Sequence, residues 1–449
     1  FETQLYIAGG GAVCSASDFW NEPEGSYREI FQNISKEISF KKLHRYSPKQ
    51  IIKLNHSGMP DGERECSICH RHDYLKDGET ECEICWTLKQ MSGNILKGDF
   101  FTVTSKKEKT CLPLPGNCYL ATDTESTLRK RMKEDNYYIR SYSKNKPYSG
   151  YYVSTKLWVG DYVNGETFEE LGQRATGIER IAVMRADVDN LGQAFVRGFE
   201  NEKNGSKYVT LSRTATFSRK LSMFFKYHIN SLLKEGGYSI LEEEAQMEKE
   251  DDRRNALIVY SGGDDLFIVG AWDDIIGFAV DLHDNLMEYS QDTLKISAGI
   301  GIYPSKYPIS IMARETGRLE EAAKSVEGKN AVALFDEKYT FPWEEFIENV
   351  VEEKLYFIQK YFKVVDEKGK NFLYNLLELV RKRKEDKINI ARFAYLLGRM
   401  EPKVQRGEKK EEIEEKRNLH REFSRKMYEW IRVEKDAKEL EMAIYLYVY

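Results

Sequence analysis

The run Tyr260-Ser261-Gly262-Gly263-Asp264-Asp265 constrains this chain more than any other stretch. It lies between two apolar segments, Ala256 to Tyr260 and Leu266 to Ala271. Two apolar runs joined by a glycine turn read as a β-hairpin. Glycine lets backbone approach a ligand closely, and adjacent carboxylates supply the oxygen donors a hard cation requires. Upstream, Ala182-Val183-Met184-Arg185-Ala186-Asp187-Val188-Asp189-Asn190-Leu191-Gly192 reads as an apolar strand ending in a second carboxylate pair. If the two strands are neighbours, both pairs reach one sheet edge, the arrangement of a two-metal nucleotide site. Asp187 and Asp264 are the candidate magnesium ligands, and Asp265 and Asp189 either complete the site or orient it. The bland alternative is an Asp-rich turn beside an unrelated acidic strand end.

The surrounding pattern predicts an α+β domain. Strand Ile181 to Asp187 leads to a short helix near Leu191 to Phe199 and a long one, about Leu211 to Lys234. Phe217, Leu221, Phe224, Phe225, Ile229 and Leu232 make one stripe on that long helix. The charged run Glu242 to Arg254 lacks periodicity and reads as a solvated insertion. After the hairpin come a helix from Asp273 to Ser290, with Ile275, Ile276, Ala279, Leu282 and Leu286 inward, and strand Leu294 to Tyr303. Helix Ile309 to Val326 and strand Ala331 to Phe335 follow. The order βααββαβ, with an added αβ, predicts a ferredoxin-like palm sheet over residues 178–340. Lys324 and Lys329, between the last helix and strand, are compact positive charges suited to a triphosphate. A lysine at a helix C-terminus is also an ordinary dipole partner.

On the N-terminal side, Leu5 to Ala8 reads as a strand entering the glycine turn Gly9-Gly10-Gly11. Cys66-x2-Cys69 and Cys82-x2-Cys85 are separated by twelve residues. Four thiolates at that spacing close a tetrahedral zinc site, and a closed site is structural. His70 or His72 substituting for one thiolate is the alternative ligand set. Cys14, Cys111 and Cys118 read as small buried apolar residues. From Asn94 to Gly177 the pattern is weak, and the region reads as a connector with short strands. Residues 61–177 thus form an expected zinc-binding insertion and connector. Beyond Tyr339 the chain turns helical. Pro342 suits a first helical position, and Phe346, Ile347, Val350, Val351, Leu355 and Ile358 share one face. Further amphipathic runs at Phe372 to Val380, Ile388 to Leu397, Ile413 to Ile431 and Ala437 to Val448 predict a helical bundle over 341–449.

A length of 449 residues allows about three domains. The net charge of −5 excludes an overall basic, nucleic-acid-coating character, so such contact must be local or come through partners. Lys41 to Arg45, Arg129-Lys130-Arg131 and Arg381 to Lys384 are the local candidates for RNA phosphates, with solvated faces the simpler reading. Tyrosine is abundant at 28, yet no aromatic ladder like that of an RNA-recognition sheet stands out. No stretch is long and apolar enough to span a bilayer, no leader is visible, and the cysteine usage suits a reducing cytoplasm. The chain starts at Phe1, which reads as a piece of a longer protein.

The triple pattern of Asp187-Val188-Asp189, Gly262-Gly263-Asp264-Asp265 and Ala323-Lys324 resembles the GGDEF-type nucleotide cyclases, with Asp265 in place of the usual glutamate. It is more similar to the large subunit of type III CRISPR effector complexes in its Csm-type (III-A) form. Tyr260 to Phe267 followed by Gly270-Ala271-Trp272-Asp273, Leu157-Trp158-Val159-Gly160-Asp161-Tyr162 and Arg185 to Gly192 carry that likeness. The resemblance implies two palm domains, the first partial here over 1–60, a zinc-bearing insertion and a helical C-terminal domain. It implies that, when guide RNA pairs with target RNA, the palms convert ATP into cyclic oligoadenylates as part of antiviral defence. Asp187, Asp264 and Asp265 would then be catalytic, with magnesium or manganese held by Asp187, the Val188 position and Asp264. Ser261, Gly262, Gly263, Asn190, Leu191, Gly192, Lys324 and Lys329 would hold nucleotide, and Cys66, Cys69, Cys82 and Cys85 zinc. The expected partners are the other subunits of a type III-A complex, guide RNA and target RNA, with no membrane. Members of that family usually carry an N-terminal HD-type nuclease, and no His-Asp pair of that type occurs in this sequence. Rival readings are another palm enzyme (a dinucleotide cyclase or template-dependent polymerase) and a nucleotide-binding scaffold.

Overall fold

The computed structural model describes residues 7–56, 65–70, 75, 78–108, 110–134, 136–241, 253–365, 371–402 and 410–449. The chain divides into two compact units, one of residues 1–161 and 192–227, the other of 162–191 and 228–449.

In the first unit, α1 (Ser26–Leu43) and α2 (Pro48–His56) precede the cysteine segment, which runs into α3 (Glu83–Lys97). Ile7 to Ser15 carry no strand, and the start of the strand expected at Leu5 lies outside the described residues. The region read as a connector with short strands does hold short strands, and they join in one six-stranded sheet. Its strands are β1 (Phe100–Thr104), β2 (Leu112–Leu114), β3 (Cys118–Asp123), β4 (Tyr138–Lys144), β5 (Tyr148–Ser149) and β6 (Val153–Leu157). They lie in the order β2-β3-β1-β4-β6-β5, and α4 (Glu125–Glu134) packs Leu128 and Met132 onto Phe100 of one face. The alternation was missing from the sequence because that face is lined by polar residues. Thr102, Thr104, Ser141, Ser143 and Ser154 are all buried, and Ser141 and Ser154 hydrogen-bond each other at 2.5 Å.

The second unit is built on another six-stranded sheet. After α5 (Phe168–Gln173) comes β7 (Ile181–Val188). The chain then leaves this unit after Leu191, the first residue of α6 (Leu191–Arg197), runs through α7 (Leu211–Met223) in the first unit, and returns at the end of a π-helical turn that leads into α8 (Ile229–Glu235). Next are β8 (Ala256–Ser261), β9 (Asp265–Ala271), α9 (Trp272–Ser290), β10 (Ile296–Tyr303), α10 (Ile309–Lys324), β11 (Ala331–Leu334) and β12 (Thr340–Pro342). The order β12-β11-β10-β7-β9-β8 contains the ferredoxin-like arrangement β10-β7-β9-β8, each neighbouring pair antiparallel. The crossover α10 adds β11 parallel to β10. Helix α9 covers one face, burying Ile275, Ile276, Ala279, Leu282 and Leu286 as their spacing required. Helix α10 covers the other. Gly299 makes that contact close: a Cβ there would stand 2.3 Å from the backbone N of Glu320.

Two expectations for this unit are corrected. Pro342 does not start a helix. It ends β12, an edge strand, where a missing N–H costs no ladder bond. Arg254, assigned to a solvated run, is buried, and its guanidinium reaches Asp281 Oδ2 at 2.5 Å and the Tyr238 carbonyl at 2.6 Å. Residues 242–252 of that run lie outside the described residues. The C-terminal part is helical as expected: a π-helical segment Glu345–Leu355, then α11 (Tyr356–Val364), α12 (Asn371–Lys382), α13 (Ile388–Gly398), α14 (Lys410–Arg432) and α15 (Glu434–Val448).

Candidate active site and metal centre

The two carboxylate motifs meet at one end of the second sheet. In the β7–β9 pairing, Asp187 lies directly opposite Asp265, and the Val188 N–H donates to the Asp264 carbonyl at 3.1 Å. Residues opposite each other in an antiparallel pair project to the same face, here the face that α10 covers. The turn is closed by the Gly262 N–H donating to the Asp265 carbonyl at 2.8 Å. Gly262 is required for a local reason. A Cβ would sit 2.2 Å from Asp265 Oδ1 and 2.5 Å from the Tyr260 hydroxyl. A bulge between Ile258 and Tyr260 shifts the β8 register and puts Tyr260 opposite Phe267, so that its hydroxyl bonds Asp265.

Helix α10 delivers Lys324 and Glu320, and β7 delivers Arg185. Lys324 Nζ is 2.7 Å from Asp187 Oδ2 and 2.6 Å from Glu320 Oε1. Arg185 Nε is 3.0 Å from Glu320 Oε2. Burial alone would lower the Lys324 pKa, but the hydrogen bonds to Asp187 and Glu320 outweigh it and hold the ammonium above its ordinary value. Asp264 moves the opposite way. Burial raises its pKa, the charges of Asp187 and Asp265 raise it further, and Lys324 only partly offsets them. Crowded carboxylates that resist ionisation are what a bound divalent cation relieves.

The remaining predicted residues take three kinds of position. Ser261 and Gly262 border the turn, and Gly263 lies within it. Asn190 has a left-handed backbone (φ +54°) and accepts from Lys329 Nζ at 2.9 Å, and Leu191 opens α6. Gly192, next along the chain, belongs to the first unit. Asp189 is set apart from the other carboxylates. It is buried, accepting from Ser297 Oγ at 2.9 Å and the Asn330 N–H at 3.0 Å. It therefore pins the loop that carries Lys329. Glu320, Arg185 and Tyr260 were not assigned a role from sequence. The signal for Glu320 was its i,i+4 spacing to Lys324.

In the first unit the four sulfurs of Cys66, Cys69, Cys82 and Cys85 lie within 4.8 Å of one another. The Cys82 N–H points to Cys66 Sγ (3.3 Å) and the Cys85 N–H to Cys82 Sγ (3.4 Å). Burial would push the Cys66 thiol up, yet the backbone N–H groups of Cys69, Cys82 and Ile68 hold it down, to about 6. Burial and the neighbouring thiols push Cys85 up. Four converging, mostly buried sulfurs fit a tetrahedral thiophilic ion. His70 instead faces Glu65 at 3.1 Å, and His72 lies outside the described residues. Of the basic candidates, Arg381 and Lys382 are engaged by Glu441 and Glu378, and Lys384 by Glu434. Arg131 is tied to Glu108 and Asp123.

A carboxylate-bearing turn on a ferredoxin-like sheet, with a lysine from the crossover helix, defines a palm-domain protein of the nucleotide-handling type. Residues 180–333 match the second palm domain of Cas10/Cmr2, residues 359–449 the second helical domain of the Cmr2 subunit of the CRISPR RNA silencing complex, and residues 1–57 domain B of the Csm1 subunit. The chain belongs with the Cas10/Csm1 large subunits of subtype III-A. It is 41% identical over 468 aligned positions to the CRISPR system single-strand-specific deoxyribonuclease Cas10/Csm1 of Mycobacterium tuberculosis (strain ATCC 25618 / H37Rv), covering 100% of this chain and 55% of that protein. The Streptococcus thermophilus protein of the same description is 39% identical, with 100% and 56% covered. The chain thus spans about half the length of these curated relatives. Among solved structures it is similar to an apo Csm1–Csm4 cassette (TM-score 0.63, 21% identity, 98% of this chain and 56% of the other). A cassette in complex with one ATP (0.61, 22%, 96% and 55%) and one in complex with cA4 (0.59, 21%, 94% and 54%) share the fold. Among the described residues no helix is long and apolar enough to cross a membrane.

Proposed function

We propose that this chain synthesises cyclic oligoadenylates from ATP as part of a type III-A CRISPR RNA-guided effector complex in the cytoplasm, switched on by target RNA. The observation that carries this is Asp187 directly opposite Asp265, with Asp264 beside them and Lys324 overhead. That Csm1–Csm4 cassettes sharing the fold are known in complex with one ATP and with cA4 supports the same reading. The proposed organisation is a partial first palm (1–60), a zinc-binding insertion and connector (61–177), a second palm (178–340) and a helical domain (341–449). Other Csm subunits, guide RNA and target RNA are the proposed partners.

The reaction is adenylyl transfer. The 3′-hydroxyl oxygen of one ATP bonds to the α-phosphorus of another, the α–β phosphoanhydride bond breaks, and pyrophosphate leaves with the electron pair. The hydroxyl proton passes to solvent. Repeated transfer and a final closure give a ring. Asp187, Asp264 and the Val188 carbonyl would hold magnesium or manganese, which when bound lowers the hydroxyl's pKa and neutralises charge developing on phosphate. Asp265, fixed by Tyr260, keeps the turn in shape. Lys324 shifts from Asp187 toward the triphosphate, and Glu320 limits how far it travels. Lys329 and the backbone N–H groups of Asn190 and Leu191 take the terminal phosphates, while Ser261, Gly262 and Gly263 let nucleotide approach the turn. Zinc on the four cysteines would be structural, folding a segment too small for a core of its own.

The test is the reconstituted complex incubated with ATP, magnesium and matched target RNA, its products read by mass spectrometry. Rings of adenylate alone are expected, and Asp264→Ala/Asp265→Ala should abolish them while subunit assembly persists. Synthesis by that double variant would refute the reading. Incorporation of GTP or extension of a primer would assign the site to a different palm enzyme.

A further inference from the structure

The loop that joins α10 to β11 is held in a backbone shape that its residues disfavour. Gly328, Lys329 and Asn330 are all left-handed, at φ +80°, +55° and +52°. Glycine adopts that region freely and asparagine tolerates it, but lysine does so seldom. Such strain persists only where the surroundings impose it, and it gathers at ligand clamps and active sites. Three hydrogen bonds impose it here. The Asn330 N–H donates to Asp189 Oδ2 at 3.0 Å. The Asn330 carbonyl accepts from the Trp343 N–H at 3.0 Å, and the Lys329 N–H turns back onto the Val326 carbonyl at 2.9 Å. The Asn330 side chain takes no part in this, since its Oδ1 is buried without a hydrogen-bond partner.

Asp189 is itself fixed by β10 and the residue before it. Its N–H donates to the Lys295 carbonyl at 2.8 Å, and its Oδ2 also accepts from Ser297 Oγ at 2.9 Å. Ser297 is fully buried and lies opposite Asp187 in the β7–β10 pairing. One carboxylate therefore ties the 328–330 loop to the strand end that carries Asp187. What the loop presents there is Lys329. Its ammonium donates to Asn190 Oδ1 at 2.9 Å, a neutral acceptor, and no described carboxylate pairs with it. Lys324, by contrast, lies between Asp187 and Glu320. The site thus holds one neutralised lysine and one whose charge is uncompensated.

We propose that Asp189 is a positioning residue that aims Lys329 at the third phosphate of the nucleotide, so that the site takes a nucleoside triphosphate in preference to a diphosphate. This rests on the nucleotide reading above and adds to it the device that selects for the terminal phosphate. With the α-phosphate at Asp187 and Asp264, the phosphate tail follows the chain from Val188 to Asn190 and ends at Lys329. The ammonium exchanges a neutral amide oxygen for an anionic phosphate oxygen, a stronger, charge-assisted bond. A diphosphate ends short of it and leaves Lys329 on Asn190. Asp189 touches no substrate atom. Without it the loop relaxes toward right-handed backbone, and Lys329 loses its aim rather than its charge.

The test is isothermal titration calorimetry of the full 449-residue chain with 3′-deoxy-ATP and 3′-deoxy-ADP in magnesium. Both lack the attacking hydroxyl and so bind without turnover. The parent should bind the triphosphate about tenfold tighter than the diphosphate. Lys329→Met and Asp189→Ala should each reduce that preference to about twofold or less, by weakening the triphosphate alone. The double variant should lose no more than either single one, because both act through one ammonium. Asp189→Asn keeps an oxygen for the Asn330 N–H and should restore most of the preference. Should Asp189→Ala fail to fold by circular dichroism, Asn330→Val takes its place. A β-branched residue resists the left-handed region, whereas Asn330→Gly accepts it and should match the parent. A merely structural role for Asp189 would weaken both nucleotides alike, and that result overturns the proposal. So do additive losses in the double variant, or an undiminished preference in Asp189→Ala. A parent that binds both nucleotides equally overturns it while leaving the nucleotide site standing. A parent that binds neither overturns the nucleotide reading as well.

Discussion

At the scale of single residues, Asp264 is the group the fold makes least comfortable. Burial and the charges of Asp187 and Asp265 raise its pKa above the ordinary carboxylate value. The folded state therefore holds this proton more tightly than the unfolded chain does. Its contribution to stability is present at low pH and is lost as pH rises through the folded pKa. Asp264→Asn should raise the Tm of the ion-free protein by about 2 °C at pH 8 and hardly at all at pH 4, while abolishing product. Differential scanning fluorimetry in EDTA reads this, and an equal shift at both pH values would count against it. Glu320 is the second residue to test. It shares the Lys324 ammonium with Asp187 at 2.6 Å, so Glu320→Gln should raise the KM for ATP about tenfold with a smaller change in kcat. The aspartates were legible because two carboxylate pairs end two strands that the palm pattern makes neighbours. Tyr260 and Arg185 were not, because their roles depend on a bulge and on a helix laid across the sheet, neither of which leaves a mark in local sequence.

Among the elements, the β8–β9 hairpin has the least tolerance. Gly262→Ala forces a methyl against Asp265 Oδ1 and the Tyr260 hydroxyl. The turn must open, and the rate of synthesis should fall about a hundredfold, with the melting curve nearly unchanged. Intact activity would show that Asp265 needs no fixed position. Behind the hairpin, Arg254 joins α8, β8 and α9 through the Tyr238 carbonyl, Asp281 and, at 3.7 Å, Asp274. Arg254→Met removes the cation that Asp281 and Asp274 share, leaving them the hydrogen bonds from the Tyr238 N–H and from Asn255, and should cost about 3–5 kcal/mol in urea unfolding. Periodicity explains which elements could be foreseen. Helix α9 and strand β10 carry unbroken apolar patterns and lie within two residues of their expected limits. Strands β1 to β6 were foreseen only as short strands without limits or a common sheet, because the face under α4 is lined by threonine and serine hydroxyls, which erases the alternation on which strand recognition rests.

On the scale of the whole molecule, the chain is two units with different sources of order. The second has a continuous apolar core on both faces of its sheet, from Val183 and Val269 under α10 to Ile276 and Leu282 of α9. The first buries hydroxyls in its sheet and gathers Cys66, Cys82 and Cys85 into a small separate cluster. Among the described residues, Cys69, Leu75 and Ile84 are the apolar side chains packed against that cluster, so the cysteine segment depends on whatever the four sulfurs hold. Stripping the protein with a zinc chelator should therefore act unevenly. Hydrogen exchange should rise sharply over residues 65–97 and in the neighbouring β2 and β3, while β7, β9 and α9 keep their protection. Elemental analysis should find zinc stoichiometric with the chain before treatment and absent after it. Uniform loss of protection across both sheets would mean that the units unfold together. Unchanged exchange over the cysteine segment would mean that the sulfurs need no ion to stay where they are.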